Sequence, residues 1–268
     1  MTSTTATRVT VPLAYADPAH PAGLFYALQH GDSTCRFHSV DTVITNARTV
    51  DDDFSLDTTG FQLVNSPTRV QDFTDEAELD RVYDEELQEL VRSLTGAEKV
   101  IVFHRITRQE GGESLGGRQP ARNPHVDYDG PGFEEWVRRK LGEEADRWLA
   151  GRWAAINVWR GIRPVERTPL AVADARSIRR DEDFIPVPIH ERPGAPTPFT
   201  GLNLKHDDGQ RWFYFPDMQP DEALCFRLYD SDPSAVFPVA HSAIDDPTSR
   251  PDAAPRYSIE ARTVAFYG

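Results

Sequence analysis

The chain has 268 residues and a formal net charge of −14, and this negative field disfavours a nucleic-acid backbone or an anionic membrane surface as a partner. Hydrophobic residues make up 39% of the chain, enough for a sizeable core, while 17 glycines and 21 prolines exclude a mostly helical bundle. The sequence has no apolar run of about 18 residues and no secretory leader pattern, so we expect a cytoplasmic, unexported protein.

The first clear element is a helix over about 75–94, in which leucines and valines recur at three- and four-residue steps. Thr74 is its expected N-cap and Gly96 its expected end. The following run, 99–108, is rich in β-branched residues and predicts a strand.

A second helix is expected over about 132–149, with Gly142 as a weak point in its continuity. After it the sequence changes to short β-prone segments separated by Pro, Asp and Gly. These segments predict strands at 151–162, 211–218, 222–230 and 257–268.

Two segments are candidate mobile covers for a site: the glycine-rich 109–117, and 187–204, which has too many prolines for a central strand. No repeat, low-complexity tract or linker divides the chain. The pattern favours a mainly β fold with flanking helices. We expect a single domain over 1–268, in which 1–98 flanks a β core at 99–268.

Two cysteines, Cys35 and Cys225, stand far apart in the sequence. A secreted chain stabilised by disulfides usually carries more, and neither cysteine has the CxxC or CxH spacing of a metal site. We expect both thiols to be reduced and to serve in packing.

The stretch NPHVDYDG places His125 and Asp127 one residue apart. On a strand such residues point to the same side and can approach one metal ion. Two histidines and one carboxylate leave three coordination positions open, an arrangement typical of non-haem Fe(II) oxygenases. For the second histidine we prefer His241, because small and β-branched residues surround it in PVAHSAI. By spacing alone, an exposed histidine beside a turn aspartate explains the HxD pair equally well.

A carboxylate co-substrate would need a fixed cation in a poorly hydrated cavity, and arginine meets this need with two parallel hydrogen bonds. Arg256 and Ser258 stand at i and i+2 on a predicted strand and can share one face. Taken alone, the pair is also consistent with a surface arginine that pairs with the aspartates nearby.

The order of an HxD pair, a distant histidine and an RxS pair resembles the Fe(II)/2-oxoglutarate-dependent oxygenases. The more specific resemblance is to a hydroxylase/desaturase branch of secondary metabolism that includes fungal meroterpenoid oxygenases. It is carried by NPHVDY, INVWRGI, PLAVAD, WFYFPDM, EALCFRLYDSD, AHSAIDDP and RYSIEAR, which follow the family's order. One departure is minor: the family's PH before the downstream ligand is AH here.

The resemblance implies a double-stranded β-helix, the jelly roll of cupin-like proteins, that uses Fe(II), 2-oxoglutarate and O2. His125, Asp127 and His241 would hold Fe(II). Arg256 and Ser258 would hold the distal carboxylate of 2-oxoglutarate.

Other residues have weaker assignments. Arg262 and Arg250 are rivals of the preferred arginine for the carboxylate. Asn157 and Tyr214 are candidates for hydrogen bonds to the co-substrate, and Trp159 for a wall of the pocket.

The implied reaction hydroxylates, desaturates or oxidatively cyclises a small secondary metabolite or amino-acid-derived substrate, while 2-oxoglutarate is decarboxylated to succinate. Two other functions use the same residues: a zinc hydrolase with the same three ligands, and a metal-free β-sandwich that binds a ligand. The RxS pair favours the oxygenase over the hydrolase, because a hydrolase needs no 2-oxoglutarate.

Overall fold

The computed structural model describes residues 6–26, 32–111, 118–190 and 199–268. Their strands are β1 (Arg8–Ala16), β2 (Phe25–Tyr26), β3 (Phe37–Asn46), β4 (Phe61–Asn65), β5 (Lys99–Gln109), β6 (His125–Val126), β7 (Trp153–Gly161), β8 (Leu170–Ala173), β9 (Phe184–His190), β10 (Phe199–Leu204), β11 (Trp212–Tyr214), β12 (Glu222–Asp230), β13 (His241–Ala243) and β14 (Tyr257–Phe266). The α-helices are α1 (Glu76–Glu78), α2 (Asp84–Thr95), α3 (Gly130–Leu141) and α4 (Ala145–Leu149).

The strands form two sheets that share one hydrophobic core. The larger sheet has the order β1-β3-β11-β8-β13-β6-β10-β9-β2, and the smaller has the order β4-β12-β7-β14-β5. Side chains from both sheets, such as Trp159 and Val172, meet in the core between them. The two facing, mostly antiparallel sheets form a double-stranded β-helix, which confirms the predicted fold class. Strands β1 to β4, all from the first 98 residues, are members of these sheets.

Strand β7 is buried on both faces. Trp153 and Trp159 point into the core between the sheets, while Ile156 and Val158 belong to a second cluster beneath α2. This helix packs on β5 and β14 and so covers the outer face of the smaller sheet. The smaller sheet is therefore held from both sides, which makes its inner face a rigid support for polar side chains.

The first predicted helix is interrupted by a π-helical turn at Leu79–Tyr83, which lies between α1 and α2. The N-cap prediction was wrong, because the side chain of Asp75, not Thr74, accepts hydrogen bonds from the backbone of the first turn. Gly96 ends α2 in the left-handed conformation, as expected.

The second predicted helix is two helices. Asp129 caps α3, which begins at Gly130, two residues before the predicted start, and Gly142, with φ 55°, ends α3. A 3-10 turn, Gly142–Glu144, then leads into α4. In the part of the chain covered by the structure, no helix is long and apolar enough to cross a membrane.

The prediction of a loop over 187–204 was wrong at both of its ends. Its first residues belong to β9 and its last to β10, and the two strands pair antiparallel. Proline is tolerated because β2 borders β9 only at Ile189 and His190 among the described residues, which leaves an open edge beside Pro186 and Pro188. Residues 191–198 and, in the glycine-rich segment, 112–117 lie outside the described residues.

Candidate metal centre and co-substrate pocket

Two adjacent strands bring the histidines together. His241 of β13 stands opposite His125 of β6, and the centroids of their rings are 4.4 Å apart. Asp127 follows β6 directly, and its carboxylate oxygens lie 3.8 Å from Nε2 of His125 and 3.9 Å from Nε2 of His241. One ligand atom from each of the three residues falls within 4.8 Å of the others, as one metal ion requires.

Backbone carbonyls orient both imidazoles. Nδ1 of His125 lies 2.7 Å from the carbonyl oxygen of Asn123, and Nδ1 of His241 lies 3.4 Å from that of Val239. Since a carbonyl only accepts, each Nδ1 carries the proton and each Nε2 keeps its lone pair for a metal. Burial, followed by the neighbouring imidazole of His241, lowers the pKa of His125 to about 3. The ring is therefore neutral at pH 7.

The carboxylate of Asp127 is held at both oxygens. Arg262 donates to Oδ1 at 2.5 Å, and the Asn157 amide donates to Oδ2 at 2.8 Å. Burial acts to raise the pKa of Asp127, but the charge of Arg262 and the nearby imidazoles hold that pKa well below its usual range. The group is therefore an ionised, oriented ligand before any metal arrives.

These contacts change two of the expected assignments. Asn157, predicted to bond the co-substrate, donates to Asp127 and accepts from the hydroxyl of Tyr128 at 3.3 Å. Arg262, the rival for the co-substrate carboxylate, pairs with Asp127 and with Glu260 at 3.2 Å. Its alternation with Ser258 on β14 was visible in the sequence, but its partner was not.

Arg256, directly before β14, lines a small cavity that also contacts His125 and His241. Its guanidinium is buried and donates to the Thr168 carbonyl at 2.9 Å. The Cζ atom of the guanidinium lies 5.5 Å from the ring centroid of Trp159. Trp159 lines the same cavity, as predicted. Burial, followed by repulsion from Arg108, lowers the pKa of Arg256 to about 9.

The second rival, Arg250, has a 67% exposed side chain that pairs with Glu166 and Asp252. It lines a separate cavity, to which none of the three metal-ligand candidates contributes. Solvent-exposed and already paired, it has neither the burial nor the position that carboxylate capture requires.

Tyr214 lies on the wrong side of its sheet for the role predicted for it. Val172 of β8 pairs with both His241 and Phe213, so Phe213 shares the face of the histidines and Tyr214 points the opposite way. Its hydroxyl is near Thr248 and Asp246, and burial, the largest cause, raises its pKa to about 12.

The sequence analysis missed a support for Arg256 built around Glu110. This carboxylate accepts from Nε of Arg167 at 2.9 Å, the hydroxyl of Thr168 at 3.1 Å and the backbone N–H of Arg256 at 3.2 Å. Thr168 has φ 54°, a conformation that is rare for a β-branched residue and is found mainly where the surroundings enforce it. The only signal for Glu110 in the sequence was its place two residues beyond the predicted strand 99–108, in the glycine-rich segment.

Comparison with known proteins agrees with this geometry. The family model described as Oxidoreductase/YMDC permease-like domain matches residues 13–266. The chain is 33% identical over 224 residues to Alpha-ketoglutarate-dependent dioxygenase phiK of a fungal species, with 80% of each chain covered. It is 34% identical over 243 residues to Fe(II)/2-oxoglutarate-dependent dioxygenase nvfI of Aspergillus novofumigatus, covering 87% of this chain and 83% of the relative.

A solved structure of the iron and alpha-ketoglutarate-dependent endoperoxidase NvfI matches with a TM-score of 0.87 at 28% identity, covering 98% of this chain and 99% of that one. A jelly roll that joins two histidines and an aspartate at one point defines the class of non-haem Fe(II) oxygenases. Within that class, the chain belongs to the hydroxylase/desaturase family of Fe(II)/2-oxoglutarate-dependent dioxygenases, as the sequence resemblance implied.

Proposed function

We propose that this protein is a Fe(II)- and 2-oxoglutarate-dependent dioxygenase that hydroxylates, desaturates or oxidatively cyclises a small secondary metabolite and converts 2-oxoglutarate to succinate. One observation carries the proposal. The two histidines of the three-ligand cluster line the same small cavity as Arg256, a buried guanidinium that forms no ion pair with a carboxylate in the described part of the chain.

The residues fit the groups that the family uses. Nε2 of His241, Nε of Arg256 and the hydroxyl of Ser258 are buried and have no hydrogen-bond partner among the described residues. Leaving buried polar atoms unpaired is costly, so these three atoms mark places that ligands fill. Two imidazoles and one carboxylate suit Fe(II), and the arginine and hydroxyl suit the distal carboxylate of 2-oxoglutarate.

When bound, Fe(II) with 2-oxoglutarate and O2 supplies the oxidising chemistry. The protein positions these groups and excludes water from the site. His125 and His241 present unprotonated Nε2 atoms, and Arg262 with Asn157 keeps Asp127 ionised and aimed. Arg256 fixes the far end of the co-substrate, and the buried walls exclude water that would weaken this ion pair.

The direct test is succinate formation from 2-oxoglutarate in the presence of Fe(II) and O2, with turnover measured in the presence and absence of candidate metabolites. His125→Ala should abolish it, and His38→Ala, a substitution of an exposed histidine on β3, should leave it unchanged. If the His125→Ala protein turned over as fast as the wild type, the assignment of the metal site would be wrong. Conversion of a candidate metabolite without O2 and without 2-oxoglutarate, and with no succinate formed, would point instead to hydrolysis by a zinc site.

We also place the protein in the cytoplasm, acting on a small molecule and not on nucleic acid or a membrane. Two features support this placement: the net charge of −14, and the two cysteines, Cys35 and Cys225, which are free as expected in a reducing compartment. Fractionation of the native host should recover it with cytoplasmic marker proteins, and recovery with the membrane or exported fraction would contradict the placement.

A further inference from the structure

A second, larger cavity adjoins the co-substrate pocket at His125 and Arg108 and opens to solvent. Asp127 and Arg262 also line it. It is therefore the space in which a substrate would meet the metal.

One wall of this cavity is apolar. Phe25 of β2, Val187 and Ile189 of β9, and Leu202 of β10 contribute to it. A Cβ at Gly201 would lie 2.3 Å from Cδ1 of Ile189, so the glycine is needed for the wall to pack as it does. This side favours a hydrocarbon part of the substrate.

The remaining lining of this cavity includes polar and cationic side chains. Arg108 and Arg118 line it, together with the amides of Asn123 and Asn203, which are joined by a hydrogen bond of 3.1 Å. The chain as a whole has a net charge of −14. The arginines at this cavity therefore give it a local charge opposite in sign to that of the whole protein.

The cofactors do not balance this positive charge. The charges of Fe(II), Arg256 and Arg262 are matched by the two carboxylates of 2-oxoglutarate together with Asp127 and Glu260. Arg108 remains outside this balance. Its Nη1 donates to the neutral carbonyl of Gln119 at 2.9 Å, and no carboxylate in the described part of the chain forms an ion pair with it.

Arg108 is also well placed to reach a substrate. It stands opposite Ser258 on the neighbouring strand β14, so it belongs to the face of the smaller sheet that carries the co-substrate residues. Its side chain lines both cavities. A guanidinium at this boundary can bind a group on the substrate and hold the rest of the molecule toward the metal position.

We propose that the primary substrate is an amphipathic small molecule with an anionic group, a carboxylate, which Arg108 binds while the apolar wall holds its hydrocarbon part. The proposal rests on the dioxygenase function given above. It assigns Arg108 to the substrate and Arg256 to 2-oxoglutarate, so the two arginines should affect different binding steps.

The test uses the anaerobic enzyme loaded with Fe(II) and saturating 2-oxoglutarate, followed by the weak visible charge-transfer band of that complex. The probes are octanoate, phenylacetate and 4-phenylbutanoate, each compared with its primary amide. At least one acid should perturb the band with an apparent dissociation constant about tenfold or more below that of its amide, since a charge-assisted hydrogen bond is lost in the amide.

Arg108→Gln should remove the preference for the acid and keep the band, and Arg108→Lys should retain part of the preference. Arg69→Gln is the matched control, because Arg69 is 72% exposed and pairs with Glu86 of α2, away from both cavities. The preference should survive in that variant, so a general loss of positive charge would not explain the result.

The remaining outcomes separate this proposal from the one on which it rests. If the wild-type protein forms no band, the dioxygenase function itself fails. If the band forms but acids bind no better than amides, or none binds, only the substrate proposal is overturned. Loss of the band in Arg108→Gln would assign Arg108 to 2-oxoglutarate and would also overturn it.

Discussion

Arg256 directly precedes β14 and Arg262 lies within it, on the same face of the smaller sheet. Both side chains are buried, with exposures of 1% and 7%. Their electrostatic surroundings are opposite. Although burial acts against it, Asp127 and Glu260 raise the pKa of Arg262 above its ordinary value. The guanidinium of Arg256 donates to the neutral carbonyl of Thr168 and has no carboxylate partner among the described residues. Burial, followed by repulsion from Arg108, lowers its pKa to about 9.

The difference separates a structural arginine from a ligand-binding one. A buried charge is stable in a protein when a partner of opposite sign is fixed beside it. Arg262 has that partner in the protein and serves to hold Asp127. Arg256 has no such partner in the described part of the chain, and the neighbouring hydroxyl of Ser258 is also unpaired there, which supports the proposal that an anion from outside binds at this end of the face.

The largest effect should come from Arg262→Met, which leaves Asp127 buried without its cation. We expect the free energy of unfolding of the metal-free protein to fall by about 3–5 kcal/mol. Arg256→Met is the matched control and should change it by less than about 1 kcal/mol, because no fixed carboxylate loses its partner. Urea denaturation measures both, and equal losses would erase the distinction between the two arginines.

Arg256→Met should instead act on the co-substrate. We expect the apparent affinity for 2-oxoglutarate to weaken by about 2–3 kcal/mol, roughly 30- to 150-fold, because its carboxylate would be buried unpaired. Arg256→Lys should restore part of it, as the charge remains but the planar fork is lost. Titration of succinate formation against 2-oxoglutarate gives the value, and an unchanged requirement would move the role to another cation.

Asn157→Leu should weaken Fe(II) binding about tenfold, because residues that orient a metal ligand typically contribute that much. The affinity for 2-oxoglutarate at saturating Fe(II) should stay close to that of the wild type. Anaerobic calorimetric titration of the metal provides the measurement. The reverse pattern, with normal metal binding and a raised 2-oxoglutarate requirement, would favour the role that the sequence predicted.

Ser258→Ala should have the smallest effect. Its hydroxyl has no partner in the described protein, so the free energy of unfolding without ligands should change by less than about 0.5 kcal/mol. The apparent affinity for 2-oxoglutarate should drop by about 1 kcal/mol, roughly fivefold. A large loss of stability with normal affinity would show that Ser258 serves packing.

The sequence predicted the fold class and the long elements well, because β5, β7, β12 and β14 carry alternating or β-branched patterns that are local properties of the chain. Prediction from the sequence failed where contacts between residues far apart in the chain decide the structure. The prolines of β9 favoured a loop, and only the position of that strand near the edge of the sheet makes them acceptable.

The three metal-ligand candidates were identified from residue types and their order, and those properties belong to the sequence itself. The roles of Asn157, Tyr214 and Arg262 were decided by tertiary structure. Sheet register placed Tyr214 on the face away from the histidines and brought Asn157 and Arg262 to Asp127. A local pattern specifies which side chains alternate, but the pairing of strands far apart in the chain determines which of them meet, and that pairing is fixed by the packing of the two sheets.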